Sequence, residues 1–312
     1  MSRESEVVAP TRRRAAAFDS RLSVPLTRQQ RLAYAMLVPV LGTIFVIVAY
    51  PLGEALYESV TNANGAFVGL TNYGFAVRSS LLYQSLRATG QYAALVLPAE
   101  ILGGLALAML VHRMVRSTAL QAVIYLLAVV PLVVPPVAVG VIARLMYAPG
   151  YGVLNQVLMR LGLLQAEIPW LGDPVLAMLS VASADVWQWT PFVYLVLFAG
   201  LQTVPHETVE AAQVDGATSW TQFWHIELPY LRPLFVLILF FRIADVIRAF
   251  DGIFILTGGG PGATTQLLSL FLYQTEFKFS QTGVAAALAV LIMLAMTALY
   301  SVVTRLLPLE RG

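Results

Sequence analysis

The sequence predicts an all-α membrane protein of six transmembrane helices with both ends in the cytoplasm. Three observations carry that expectation. First, 58% of the 312 residues are hydrophobic and only 12% are charged, where a soluble domain carries about a quarter charged residues. Second, six apolar stretches lie at 32–52, 88–111, 119–143, 174–201, 233–256 and 283–306, each close to the ~20 residues that a helix needs to cross a bilayer. They are too long for barrel strands, and in lipid each segment must satisfy its own backbone. Third, the basic residues are sorted. With the N-terminus inside, twelve arginines fall on the inner side: seven in the first 31 residues, then Arg113, Arg116, Arg232, Arg305 and Arg311. Only Arg78, Arg144, Arg160 and Lys278 fall outside. Cytoplasmic loops hold the excess of Lys and Arg, which fixes the orientation.

Taken in order, residues 1–31 read as an Arg-rich, disordered cytoplasmic tail. Thr11 to Arg14 faintly resembles a twin-arginine export signal. The apolar run starts about twenty residues later and is too long for a signal-peptide core. The transmembrane domain is expected over 32–307, and 308–312 is a cytoplasmic C-terminus. The outer loops 53–87 and 144–173 are rich in turn formers and aromatics. They contain Gly69-Leu70-Thr71-Asn72-Tyr73, Tyr147 to Gly152, and Ile168-Pro169-Trp170-Leu171. Such aromatics suit a membrane-interface belt or a partner surface.

Span three contains Pro131, Pro135 and Pro136. Three missing backbone donors should kink or locally unwind it. Such a break lines a cavity or is a packed kink. Span four holds Asp185, Trp187, Trp189, Pro191 and Tyr194, a carboxylate and rings suited to a sugar's hydroxyls and apolar face. Helix packing accounts for them equally well, as it does for Glu100 beside Pro98 in span two. Span five carries Arg242, Asp245, Arg248 and Asp251 at spacing three, where side chains are helical neighbours. A charge at the centre of a span costs about 2.5–3.5 kcal/mol. The alternating stripe therefore serves either as a gate at the substrate path or as a self-neutralising ion ladder.

Between spans four and five, the polar loop 202–232 lies inside. Glu207 to Ala212 favours helix, with acids near its start. Gly216 is a stop, and a second helical run from Ser219 to Glu227 is expected to end before Pro229. Glu210-Ala211-Ala212, then Gly216, then Ile226, Leu228 and Pro229 after nine further residues resemble the EAA loop of permease subunits in binding-protein-dependent ABC importers. Gly69 to Tyr73 resembles the GLxNY element of carbohydrate permeases. Thr257-Gly258-Gly259-Gly260-Pro261 through Thr265 resembles their TGGGPxxxT outer loop, and the Arg242–Asp251 stripe resembles the start of their fifth span.

The chain is identified on these residues as a member of the maltose-type, carbohydrate-uptake permeases of type I ABC importers. The resemblance covers roughly 32–307. It implies the type I importer permease fold in a prokaryotic plasma membrane. A second homologous permease, two cytosolic ATP-binding cassette subunits and an extracytoplasmic substrate-binding protein are the implied partners, besides lipid. It implies ATPase coupling through Glu210, Ala211, Ala212, Asp215, Gly216, Ile226, Leu228 and Pro229. The bare six spans resemble the compact disaccharide or glycerol-phosphate relatives rather than the maltose member with extra spans and a large outer domain.

Several classes are disfavoured. The chain has no GxxxxGK[ST] run, so ATP and Mg belong to partner subunits and no cofactor is expected here. Zero cysteines exclude disulfides, thiolate metal sites and Cys nucleophiles. His112, His206 and His225 form no HExxH or ligand pair, so neither catalytic nor metal-binding residues are expected. A net charge of +2 gives no nucleic-acid footprint. An ion-coupled secondary transporter would show internal repeats, and none is convincing. Sugar is favoured over glycerol phosphate because Arg242 and Arg248 already have acidic partners.

Overall fold

The computed structural model describes residues 28–306. The predicted C-terminal segment 308–312 and all but the last residues of the predicted tail 1–31 lie outside them. Fourteen α-helices occur among the described residues. The chain divides after Glu54 into a small N-terminal unit and a larger one. The first described elements are α1 (Arg28–Ile44), a π turn (Phe45–Ala49) and α2 (Tyr50–Ser59), which crosses that division. There follow α3 (Thr71–Arg78), α4 (Ser80–Met114), α5 (Thr118–Val133), α6 (Pro136–Tyr147) and α7 (Val153–Arg160). Next come α8 (Pro174–Leu201), α9 (His206–Val214) and α10 (Ser219–Gln222), then a second π turn (Phe223–Glu227). The last four helices are α11 (Leu228–Arg248), α12 (Asp251–Leu256), α13 (Leu268–Phe277) and α14 (Thr282–Leu306).

Among the described residues, three helices are long and apolar enough to cross a membrane, within Tyr34–Ser59, Ser80–Met114 and Thr282–Val302. The α5–α6 pair makes up to four, bent by 92° at its break. That bend is the unwinding which Pro135 and Pro136 predict: Pro135 and Val134 are extended, and Pro136 starts α6, a position that needs no N–H. The stretches expected as spans four and five hold α8 and α11, each of which buries some of its polar residues. Ser180, Gln188 and Arg242 are buried against other helices. Helix α8 starts where the sequence predicts because Asp173 Oδ1 accepts from the amides of Val175 and Leu176 ahead of Pro174.

Span five departs from the expectation. It is not one helix over 233–256 but breaks at Ala249 and Phe250, and Asp251 opens α12. Residues 268–277, expected as outer loop, form α13, which buries Leu268, Leu270 and Phe271. In the first predicted outer loop, buried Asn72 donates to the carbonyls of Ser59 (3.1 Å) and Thr61 (2.8 Å), closing the end of α2. In the second, Asn155 Oδ1 accepts from the Trp170 indole (2.8 Å) and the Ile168 amide (3.2 Å). These loop residues fold the loops themselves.

Helices α4, α8 and α11 pack around a core that includes Ala108, Val111, Tyr194, Leu197, Leu231 and Ile238. Small residues allow the close approach. A Cβ on Gly104 would sit 2.5 Å from the Val193 side chain and 2.9 Å from the Tyr194 amide. Gly104→Val is therefore expected to cost about 1–3 kcal/mol through overpacking and to lower the amount of folded chain in membranes, read by a C-terminal fluorescent fusion. Gly90→Val on the same helix, where a Cβ meets nothing within 4 Å, leaves that amount unchanged.

Candidate functional site

Two constellations emerge. One is the hairpin of α9 and α10. Helix α9 ends in a left-handed Gly216, φ +80°, with the Gly216 amide bonded to the Gln213 carbonyl (3.1 Å) and the Ala217 amide to the Ala212 carbonyl (2.9 Å). This is a Schellman closure, which wants glycine at that position. Thr218 caps α10 by accepting from the Thr221 amide. The second run does not stop before Pro229. It passes through the π turn directly into α11, with the Leu228 amide bonded to the Phe223 carbonyl. The wider turn places Pro229 in the first turn of α11, where its missing N–H is tolerated.

Helix α9 buries none of its residues. Glu210, Ala211, Asp215 and Gly216 are exposed, and Val214 is 88% exposed. Ile226 and Leu228 are half-buried, Pro229 is exposed, and Phe223 and Glu227 are buried. The hairpin is thus held by its second half and presents its first half outward. Around Gly216 a Cβ would meet nothing within 4 Å in this chain, so its glycine is required by φ rather than by a close neighbour on the same chain.

The other constellation is a buried ion cluster. Arg242 is 2% exposed and Glu100 is 0% exposed. Arg242 Nε and Nη2 donate to the two Glu100 oxygens, each at 2.7 Å, in a fork-to-fork pair. Nη2 also donates to Asp185 Oδ2 at 2.6 Å, and Nη1 lies 3.6 Å from Asp245 Oδ2. The guanidinium lies over the Trp189 ring, 4.7 Å from its centroid, a favourable cation–π placement. Arg248 donates to Asp245 at 3.0 Å. Beside the cluster is a cavity of about 310 Å³, lined by Asp185, Gln188, Trp189, Asp245, Arg248 and Asp251 with residues of both broken helices.

Residues 100–310 match the family described as binding-protein-dependent transport system inner membrane components. The chain belongs to that family. It is 32% identical to the trehalose/maltose transport system permease protein MalF of Thermococcus litoralis over 89% of this chain and 95% of that protein. It is 34% identical to the trehalose transport system permease protein SugA of Mycobacterium tuberculosis, covering 85% of this chain and 84% of the other. Among solved structures it resembles a bacterial ABC transporter chain involved in import of the acidic polysaccharide alginate. The TM-score is 0.78 and the identity 21%, with 89% of this chain and 95% of that one covered. The fold is that of an ABC importer permease.

Within this permease fold the predicted substrate-path residues are only partly brought together. Asp185, Arg242, Asp245 and Arg248 meet at the cavity, and Asp251 lines it from the far side of the helix break. Asp251 thus leaves the predicted stripe: the backbone turns at Ala249–Phe250, and the acid starts a new helix, where the dipole favours it. Trp187 is 50% exposed and lines no part of the cavity; Trp189, two residues on, does. The central partner of Arg242 is Glu100, from another helix, rather than its neighbours along span five. Glu100→Ala leaves a buried guanidinium short of its main counter-charge, a loss worth about 3–5 kcal/mol, and is expected to remove the folded chain from membranes. Asp245→Asn, at a longer distance and on a side chain that is 35% exposed, is expected to leave abundance intact. Quantitative immunoblotting of both variants checks this.

Proposed function

We propose that this chain is one of two homologous permease subunits of an ATP-driven importer of neutral sugars. The two permeases form the translocation path with six spans each, and both ends of this chain face the cytoplasm. Two cytosolic ATPases bind ATP and Mg, and one of them docks on the α9–α10 hairpin of this chain through Glu210, Ala211, Ala212, Asp215 and Gly216. Ile226, Leu228 and Pro229 set the hairpin's exit into α11. An extracytoplasmic binding protein delivers the sugar. ATP-driven closure of the ATPases pushes the hairpin and reorients the spans.

The observation that carries this reading is the hairpin: an exposed helix burying nothing of its own chain, within a family whose members serve binding proteins. Trehalose and maltose in the relatives' names support a sugar substrate. The charge at the cavity supports a neutral one. Short bonds to Glu100 and Asp185 occupy Arg242 Nε and Nη2, and Asp245 faces Nη1 and holds Arg248. The wall that remains offers carboxylate oxygens to hydroxyl donors.

Gly216→Trp places a large ring at the proposed docking point and is expected to abolish binding-protein-stimulated ATP hydrolysis and uptake in reconstituted complexes. Survival of both excludes the docking role. Because the chain has no cysteine, Asp215→Cys is a clean topology probe. A membrane-impermeant maleimide is expected to label it only after permeabilisation. In vesicles carrying the whole complex, uptake of trehalose or maltose is expected to exceed that of glucuronate or glycerol phosphate; the reverse order overturns the neutral-sugar reading.

A further inference from the structure

A second ion pair ties α4 to the residue that leads into α11. Arg113, in the last turn of α4, donates from Nη2 to Glu227 Oε2 at 2.9 Å and to the Ser219 carbonyl at 3.2 Å. Ser219 begins α10 and Glu227 ends the π turn, so one guanidinium nitrogen gathers both ends of the hairpin's attached half. Exposed ion pairs contribute little, but this carboxylate is only 7% exposed. With Arg113 removed it would be a buried charge without that counter-ion.

At 1.5 Å per residue, Glu100 lies about 20 Å along α4 from Arg113, and Arg242 about 23 Å along the other helix from Glu227. The two pairs have opposite polarity: α4 supplies the base at one end and the acid at the other. Between them Ala108 and Val111 of α4 share one core with Leu231 and Ile238 of α11, all buried. A single contact lets two helices slide or rotate against each other. Two ion pairs about 20–23 Å apart along the helices, with a packed core between, fix both separation and axial register.

We infer that Arg113 and Glu227 are positioning residues that make α4 and α11 one lever, carrying displacement of the hairpin to the Arg242 cluster at the cavity. The inference rests on the coupling role proposed above. Neither residue belongs to the docking face or the cavity. Their task is to keep the hairpin from moving independently of the helices that bear the cluster, since coupling travels through elements that move as a unit.

The chain's lack of cysteine provides the test. Arg113→Cys/Glu227→Cys is assembled with cysteine-free partner subunits and loaded binding protein in proteoliposomes. Without cross-linker, sugar moved per ATP hydrolysed is expected to fall about tenfold, a typical size for coupling between sites, while the assembled complex persists. A short bismaleimide restores the ratio, and single-cysteine variants treated alike stay low. Coupling equal to wild type in the untreated double variant overturns the inference. So does a cross-link that stops transport, because the two ends must then part during the cycle. If the cysteine pair does not assemble, the swap Arg113→Glu/Glu227→Arg decides. Recovery of coupling over Arg113→Glu alone supports the lever, and no recovery overturns it. A wild-type complex that hydrolyses no ATP in response to loaded binding protein would instead overturn the importer reading itself.

Discussion

Arg242 brings a permanent charge into an apolar helix, and the rest of the larger unit is arranged so that this charge is never alone. Insertion scales put the cost of a mid-span arginine at about 2.5–3.5 kcal/mol. Glu100 from α4 and Asp185 from α8 converge on it with bonds of 2.6–2.7 Å, and Trp189 lies beneath it. Those partners reach it only if α4, α8 and α11 come close. Gly104 permits the α4–α8 approach. Gly200, where a Cβ would sit 2.2 Å from the Leu234 side chain, permits the α8–α11 approach. The ion cluster and the glycines are thus one constraint: polar satisfaction demands proximity, and residues without side chains supply it.

Two helices break near this cluster, and both breaks are satisfied in the same manner. At the α5–α6 bend, the Val134 carbonyl accepts from Gln188 Nε2 at 2.8 Å. At the α11–α12 bend, the Ala249 carbonyl accepts from the Ser269 hydroxyl. Non-helical backbone at membrane depth is tolerated only where protein or a water-filled cavity meets it. Both bends border the cavity. The α6 and α12 segments beyond them pack closely enough that a Cβ on Gly140 would lie 2.8 Å from the Gly252 carbonyl.

Long-range order is where the sequence was hardest to read. Apolar length marks the long helices, and Asp173-Pro174 marks the start of α8 to the residue, because capping is local chemistry. The proline triplet marks the α5–α6 break for the same reason. Gly216 was legible as a helix stop because a left-handed closure almost demands glycine. Pro229 was misread: locally it ends a helix, but burial of Phe223 and Glu227 holds a π turn that carries the chain past it. The Glu100–Arg242 pair spans 142 positions and leaves no periodic trace. Spacing three along span five suggested self-pairing instead. Residues two apart on a helix point nearly opposite ways, and nothing local says whether Trp187 or Trp189 turns inward.

Burial divides the predicted stripe into two parts with different physics. Arg242 with Glu100 is bidentate and almost wholly buried. Its loss leaves an orphan charge, so its effect falls on the fold. Asp185 at 17% exposed, Asp245 at 35% and Arg248 at 70% retain exposed side-chain surface and line the cavity. A group exposed to that degree gains little from pairing, so stability alone gives little reason for a carboxylate at Asp245. The stripe offered by the sequence is therefore two groups of residues rather than one series of four. The sealed pair, reaching outside the stripe to Glu100, anchors the helices. The more exposed group beside it lines the cavity.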